Sequence, residues 1–213
     1  MCYSADMVPI LIATNNAGKL REFEQLLASL PISLESPHQL GLKLDGEETG
    51  TSYLENARAK ALAGQQASGL LTLADDSGLE VEALDGEPGI YSARQGGPGL
   101  DDIARYELLL QRLCTVPWPQ RTAHFRCVVV AATPTGEIFH AEGSCTGKIA
   151  FHPSGAHGFG YDPIFYLPEY HQSMSELSPT LKNSISHRAR AVQAIVPILT
   201  RIIAATVQPD GAA

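Results

Sequence analysis

No part of the sequence limits the possible folds more than the run Val8-Pro9-Ile10-Leu11-Ile12-Ala13, which carries no charge and leads directly into Thr14-Asn15-Asn16-Ala17-Gly18-Lys19. An apolar run this short, interrupted only by Pro9, predicts a buried strand. The next segment predicts a helix, because Leu20, Phe23, Leu26, Leu27 and Leu30 recur at spacings of three and four before Pro31 ends the pattern. A strand, a polar loop and an amphipathic helix in that order need a sheet with helices packed on it.

The rest of the chain keeps mixing the two periods. Ser52, with Glu55 three positions on, has the spacing of a capping box. It predicts a second, alanine-rich helix that puts Asn56 and Lys60 on one face and ends at Gly64 or Gly69. Leu70 to Ala74 reads as a short strand delivering Asp75-Asp76-Ser77-Gly78, and Leu79, Val81 and Ala83 as a half-exposed strand after it. Leu100 to Leu113 predicts a helix with Asp101 and Asp102 at its positive end. Strands are expected up to Thr133 and near Glu137 to Ala141, then a glycine- and histidine-rich loop from Phe151 to Asp162. A last helix is expected from about Ser186, with a kink or break at Pro197. The fold class is therefore α/β with a mixed sheet.

Length and charge bound the function. The chain has 213 residues, which suits one domain or two lobes. Residues 1–7 read as an extension and 208–213 as a frayed tail. The balance of 15 basic and 23 acidic residues gives −8, which argues against binding a nucleic-acid backbone or an anionic membrane. It does not exclude one small anion held by a local basic cluster. The cysteines Cys2, Cys114, Cys127 and Cys145 form no metal-binding pattern and read as reduced thiols. The early apolar run is too short for a membrane span, so a soluble, cytoplasmic protein is expected.

Several segments could carry chemistry. Thr14 to Lys19, at a strand-to-helix turn, offers backbone N–H groups, a helix dipole and a cation, which together suit a phosphate. It lacks the glycine and the Ser or Thr of a Walker A loop. An ordinary loop with a surface lysine fits it equally well. Asp75 and Asp76 at a buried strand end suit Mg²⁺ or a general base. Glu47 and Glu48 offer more oxygen ligands or a solvated surface. Gly158-Phe159-Gly160-Tyr161-Asp162-Pro163 reads either as a base-stacking turn or as a packed one. Lys182, His187 and Arg188 crowd a helix start, where cations are disfavoured, and such a conflict hints at function.

Together these segments resemble the inosine/xanthosine triphosphate pyrophosphatase family. The matching pieces are Thr14 to Lys19, Glu47 to Gly50, Glu55-Asn56-Ala57 with Lys60, Ala74 to Leu79, Pro88 to Arg94, Gly158 to Phe165 and Ser186-His187-Arg188, in family order over nearly the whole chain. The resemblance implies an elongated two-lobed α/β fold with a long twisted mixed sheet, flanking helices and an active cleft between the lobes, usually in a homodimer. It implies a Mg²⁺-dependent enzyme that cleaves ITP, dITP and XTP to the monophosphate and pyrophosphate. By resemblance Thr14, Asn15, Asn16, Ala17, Gly18 and Lys19 hold the triphosphate and Lys60 reaches it. Glu48 and Asp76 belong to the metal region, with Glu47 and Asp75 as further candidates, and Asp76 is the base. Ser77 touches substrate, while Phe159, Gly160, Tyr161, Asp162, Lys182, His187 and Arg188 surround the base and sugar. Two other readings are a pyrophosphatase for modified pyrimidine nucleotides and a non-catalytic nucleotide sensor.

Overall fold

The structure, a computed structural model, describes residues 7–44 and 48–207. The expected extension before Met7, the tail from residue 208 and the candidate ligand Glu47 lie outside the described residues. In chain order the elements are β1 (Val8–Ile12), α1 (Ala17–Leu26), β2 (Ile32–Glu35), α2 (Tyr53–Ser68), β3 (Leu71–Val81), β4 (Pro88–Gly89) and α3 (Asp102–Arg112). They continue as β5 (Thr122–Ala132), β6 (Ile138–Ile149), β7 (Phe165–Leu167), β8 (Gln172–Ser173), α4 (Pro179–Ile185) and α5 (His187–Val207). The strands form one 8-stranded mixed sheet in the order β2-β1-β3-β5-β6-β7-β8, with β4 pairing β3. β1 lies parallel to both β2 and β3, whereas β4 is antiparallel to β3.

The described chain divides into two compact units. One contains residues up to Asp76 together with Val128–Glu142 and the segment from Ala191. The other contains Ser77–Cys127 and Gly143–Arg190. The first has a core of small residues, in which Ala13, Ala57, Ala61 and Ala74 pack with Val128, Val130 and Ala132. Small side chains let α2 approach the sheet closely. At Gly64 a Cβ would lie 2.9 Å from Thr72 and 3.1 Å from Ala13 and Leu11, so this glycine belongs inside α2 and does not end it. Gly69, with φ of 73°, is the actual cap. The second unit has a larger core, including Leu79, Val81, Leu109, Leu113, Phe125, Ile149, Ile164, Phe165 and Met174.

Several expectations need correction. The two short strands around Asp75 are one continuous strand, β3, because its aspartates are partnered in place and no turn is needed. Its later part alternates as expected, with Leu79 and Val81 buried, Glu80 partly exposed and Glu82 exposed. Ser52 does cap α2 by accepting from the Glu55 amide, but the Glu55 carboxylate turns to the Thr51 amide and hydroxyl at 2.7 and 2.9 Å. α1 stops at Leu26, four residues before Leu30, and the chain enters β2, which is too short to show a period. Lys182 sits in its own helix, α4, and Ser186 caps the junction with α5. α5 runs through Pro197 without a break, with Pro197 on its exposed side. This helix is long and apolar enough to cross a membrane by length and composition. Val192, Ile195, Leu199 and Ile203 are nevertheless buried along one stripe, as in a core helix.

Nothing in the sequence around Arg121 singles it out. It is 1% exposed, yet its guanidinium serves backbone carbonyls, those of Ile149, Leu113, Val116 and Ala150, at 2.8 to 3.3 Å. It thus ties the end of β6 to the turn after α3 within the second unit. Replacing it by leucine strands those carbonyls in a buried site, at a cost of about 3 kcal/mol. Arg121→Leu is therefore expected to lower the thermal unfolding midpoint by roughly 6–12 °C. A midpoint within about 2 °C of wild type, on the order of the error in such a scan, would show that these bonds are dispensable.

Candidate functional site

In the first unit the site begins where β1 ends. Thr14 accepts from the Asn16 amide at 3.2 Å, and Asn16 caps α1 by accepting from the Lys19 amide at 3.0 Å. Ala17 and Gly18 occupy the first helical positions, whose amides have no acceptor within the helix. Asn15, Asn16 and Ala17 are exposed, so the turn presents backbone donors and a positive dipole end to its surroundings.

Strand alternation sorts the acidic pair. Successive side chains on β3 point to opposite faces. Thr72, Ala74 and Asp76 face α2, as the packing of Thr72 on Gly64 and of Ala74 on Ala57 and Ala61 shows. Asp75 faces the other way and meets Lys19 at 3.0 Å, with its side chain 1% exposed. Asp76 accepts from Asn56 at 3.0 Å through Oδ2 and meets Lys60 Nζ at 3.4 Å through Oδ1. Lys60 also pairs with Glu48 at 2.8 Å. The i, i+4 spacing of Asn56 and Lys60 on α2 delivers both side chains to one carboxylate. Asn56 does more than the sequence revealed. It is buried, and its Oδ1 accepts from the Gly50 amide at 2.8 Å. It therefore fixes both Asp76 and the segment that carries Glu48.

The charges in this cluster oppose one another. Burial pushes the Asp76 carboxyl above its ordinary value, and Glu48 adds to the rise, while Lys60, Asn56 and Lys19 pull it back without cancelling it. For Lys60, burial acts to lower the pKa, but Asp75, Asp76 and Glu48 together outweigh it and the net direction is upward. Lys60 is thus firmly charged, while the ionised form of Asp76 is under strain from desolvation. A carboxylate in that condition gains from further positive charge. Oxygens of Glu48 and Asp76 converge on one ammonium, and hard oxygen donors of this kind suit Mg²⁺. Among the described residues no three or more His, Cys, Asp or Glu side chains form a complete metal cage.

The second unit gathers the other sequence candidates. Ser77, the residue after Asp76, accepts from Arg188 at 3.0 Å through its Oγ. Arg188 is 1% exposed, and its guanidinium lies 5.7 Å from the centre of the Phe159 ring. Lys182 Nζ lies 4.9 Å from the same ring and pairs with Asp162 at 2.6 Å. His187 stacks on Phe125 with centroids 4.6 Å apart, so its ring is set by the core. Phe159 is half-buried, with both cations close to its ring. Tyr161 is placed differently, since its ring belongs to the hydrophobic core and its hydroxyl donates to the Ser92 carbonyl and to Gln95. Burial raises the Tyr161 phenol to about 12. Asp162 is buried beneath the turn, where it accepts from the Phe159 amide. Arg94 stays in its own turn, donating to the Ile90 carbonyl.

A model of the Ham1 family matches residues 10–198. The dITP/XTP pyrophosphatase of Desulforamulus reducens is 48% identical over 193 residues, which cover 91% of this chain and 96% of that protein. A HAM1 protein from Coxiella burnetii superimposes with a TM-score of 0.82 at 38% identity, covering 92% of this chain and 100% of the other. The Staphylococcus aureus Ham1 protein gives 0.80 at 40% identity, with 91% and 99% covered. With identity at this level across nearly its whole length, the chain belongs to the Ham1 family.

Proposed function

We propose that this protein is a Mg²⁺-dependent pyrophosphatase that converts ITP, dITP and XTP to their monophosphates and pyrophosphate. The observation that carries this reading is the Asp76 cluster, where one buried carboxylate on β3 is shared among Asn56, Lys60 and, through Lys60, Glu48. The name borne by the Desulforamulus reducens relative supports the same substrate class.

In this reading the phosphates lie at the start of α1, facing the Ala17 and Gly18 amides, with Lys19 and Lys60 offsetting part of the ~4 negative charges of a nucleoside triphosphate. Glu48 and Asp76 would hold Mg²⁺, which supplies positive charge where the leaving pyrophosphate accumulates negative charge. Asp76 orients a water and takes its proton. The oxygen bonds to the α-phosphorus as the bond from that phosphorus to the bridging oxygen breaks. Asp75, tied to Lys19 on the opposite face of the strand, keeps that lysine in position.

The base is assigned to Phe159, with Arg188 and His187 supplying donors for a 6-oxo group. Adenine presents a 6-amino group there, and a donor left facing an amine costs about 1–3 kcal/mol. A cytoplasmic location and a homodimeric assembly complete the reading and rest on the family likeness.

Purified protein given ITP and Mg²⁺ is expected to release IMP and pyrophosphate in equal amounts. Accumulation of IDP and orthophosphate would rule the reading out. Chelating the metal is expected to stop turnover, and added Mg²⁺ to restore it, whereas turnover that persists in excess chelator would remove the metal from the mechanism. Asp76→Asn should lower kcat by about 10²–10⁴, the usual worth of a general base, while nucleotide still binds. Turnover near that of wild type would take Asp76 out of the base role.

A further inference from the structure

The turn that carries Phe159 is gripped in an unusual way. Two consecutive backbone amides are held by carboxylates from different parts of the second unit. The Phe159 amide donates to Asp162 Oδ2 at 2.9 Å, and the Gly160 amide donates to Asp102 Oδ2 at 2.7 Å. The two carboxylates differ in their surroundings. Asp162 is buried and shares its Oδ2 with Lys182. Asp102 stands on α3 with its side chain 54% exposed, its other oxygen 3.8 Å from Arg105. Charge-assisted bonds of this length are among the stronger ones a backbone amide makes.

The grip explains the glycines. Gly158 has φ of 78°, and a Cβ there would sit 2.1 Å from Asp162 Oδ2. Only glycine lets the chain wrap so closely around that carboxylate. Gly160 has φ of 61°. A peptide with glycines on both sides of Phe159 has little stiffness of its own, so its position depends on what holds it. The Phe159 ring in turn sits over Lys182 and near Arg188. Asp102 needs no such role to start its helix, because Asp101 already caps α3 by accepting from the Ala104 amide at 2.8 Å.

We infer that Asp102 is a positioning residue for the substrate's base: by holding the Gly160 amide it completes a two-carboxylate clamp that fixes Phe159 as one wall of the base site. The inference rests on the assignment of Phe159 to the base, and it adds a residue from α3 that touches neither phosphate nor metal. Without Asp102 the buried Asp162 still holds the Phe159 amide, but the outer half of the turn is released. The loss falls on binding of the base and leaves the phosphate chemistry at Asp76 intact.

The test uses the full-length protein with Asp102→Ala and Asp102→Asn. The alanine variant keeps the Asp101 cap and is expected to raise KM for ITP roughly tenfold, the worth of one charge-assisted bond, with kcat within about twofold of wild type. Asn can still accept from the Gly160 amide and is expected to restore most of the loss. Amide hydrogen exchange of the nucleotide-free protein gives a readout independent of activity, with Gly160 expected to exchange at least about tenfold faster in Asp102→Ala. Unchanged exchange at Gly160 would overturn the clamp, whatever the enzyme does with ITP. Faster exchange with an unchanged KM, or a fall in kcat alone, would overturn the positioning role. If wild-type protein releases no pyrophosphate from ITP, the functional reading fails by itself, and the exchange measurement still decides the clamp.

Discussion

Two adjacent aspartates in the interior of a buried strand set the terms for the rest of the first unit. Neither can stay ionised in a low-dielectric surrounding without partners. The pleat sends them to opposite faces, and each makes its ion pair with a different lysine, although Lys60 feels the charge of both. Asp75 finds Lys19 at the start of α1, and Asp76 finds Lys60 on α2. The strand–loop–helix opening of the chain and the capped start of α2 at Ser52 are what bring those lysines to their places. The small-residue packing of α2 on β3, with Gly64 against Thr72 and Ala57 and Ala61 near Ala74, sets the distance.

From this pairing the two carboxylates acquire different characters. Asp75 pairs closely with Lys19 and also acts on Lys60. Asp76 shares its cation with Glu48 and remains above its ordinary pKa, because burial outweighs the lysine's help. The second unit follows a different scheme, in which cations are stacked around an aromatic ring and carboxylates hold the backbone beneath it. The boundary between the two schemes falls inside β3, at the peptide bond joining Asp76 to Ser77.

Much of this is legible in the sequence. β1, the Ser52 cap, the shared face of Asn56 and Lys60 and the stripe of α5 follow from local periodicity. The grouping of Lys19, Lys60, Glu48 and the Asp pair is legible too, because their motifs run in a recognisable order. The choice between Asp75 and Asp76 is not. It depends on which face of β3 meets α2, and that is set by packing partners distant in sequence. β3 itself reads as two strands, since Asp-Asp-Ser-Gly looks like a turn until its charges are known to be matched. The turn around Tyr161 reads either as stacking or as packed, and its spacing cannot decide which of its two aromatics enters the core. Arg121 and Asp102 act through backbone groups 28 and 58 residues away, and no local pattern encodes such contacts.

If the charges divide in this way, Asp76 and Glu48, and not Asp75, form the metal-binding side of the site. Anomalous diffraction from crystals grown with Mn²⁺ and a non-hydrolysable ITP analogue decides the point. The expected result is an anomalous peak in coordination distance of both Asp76 and Glu48, on the α2 face of β3, with Asp75 still paired to Lys19. A peak ligated by Asp75 on the opposite face of the strand, with Asp76 left out, would overturn the division of roles between the two aspartates.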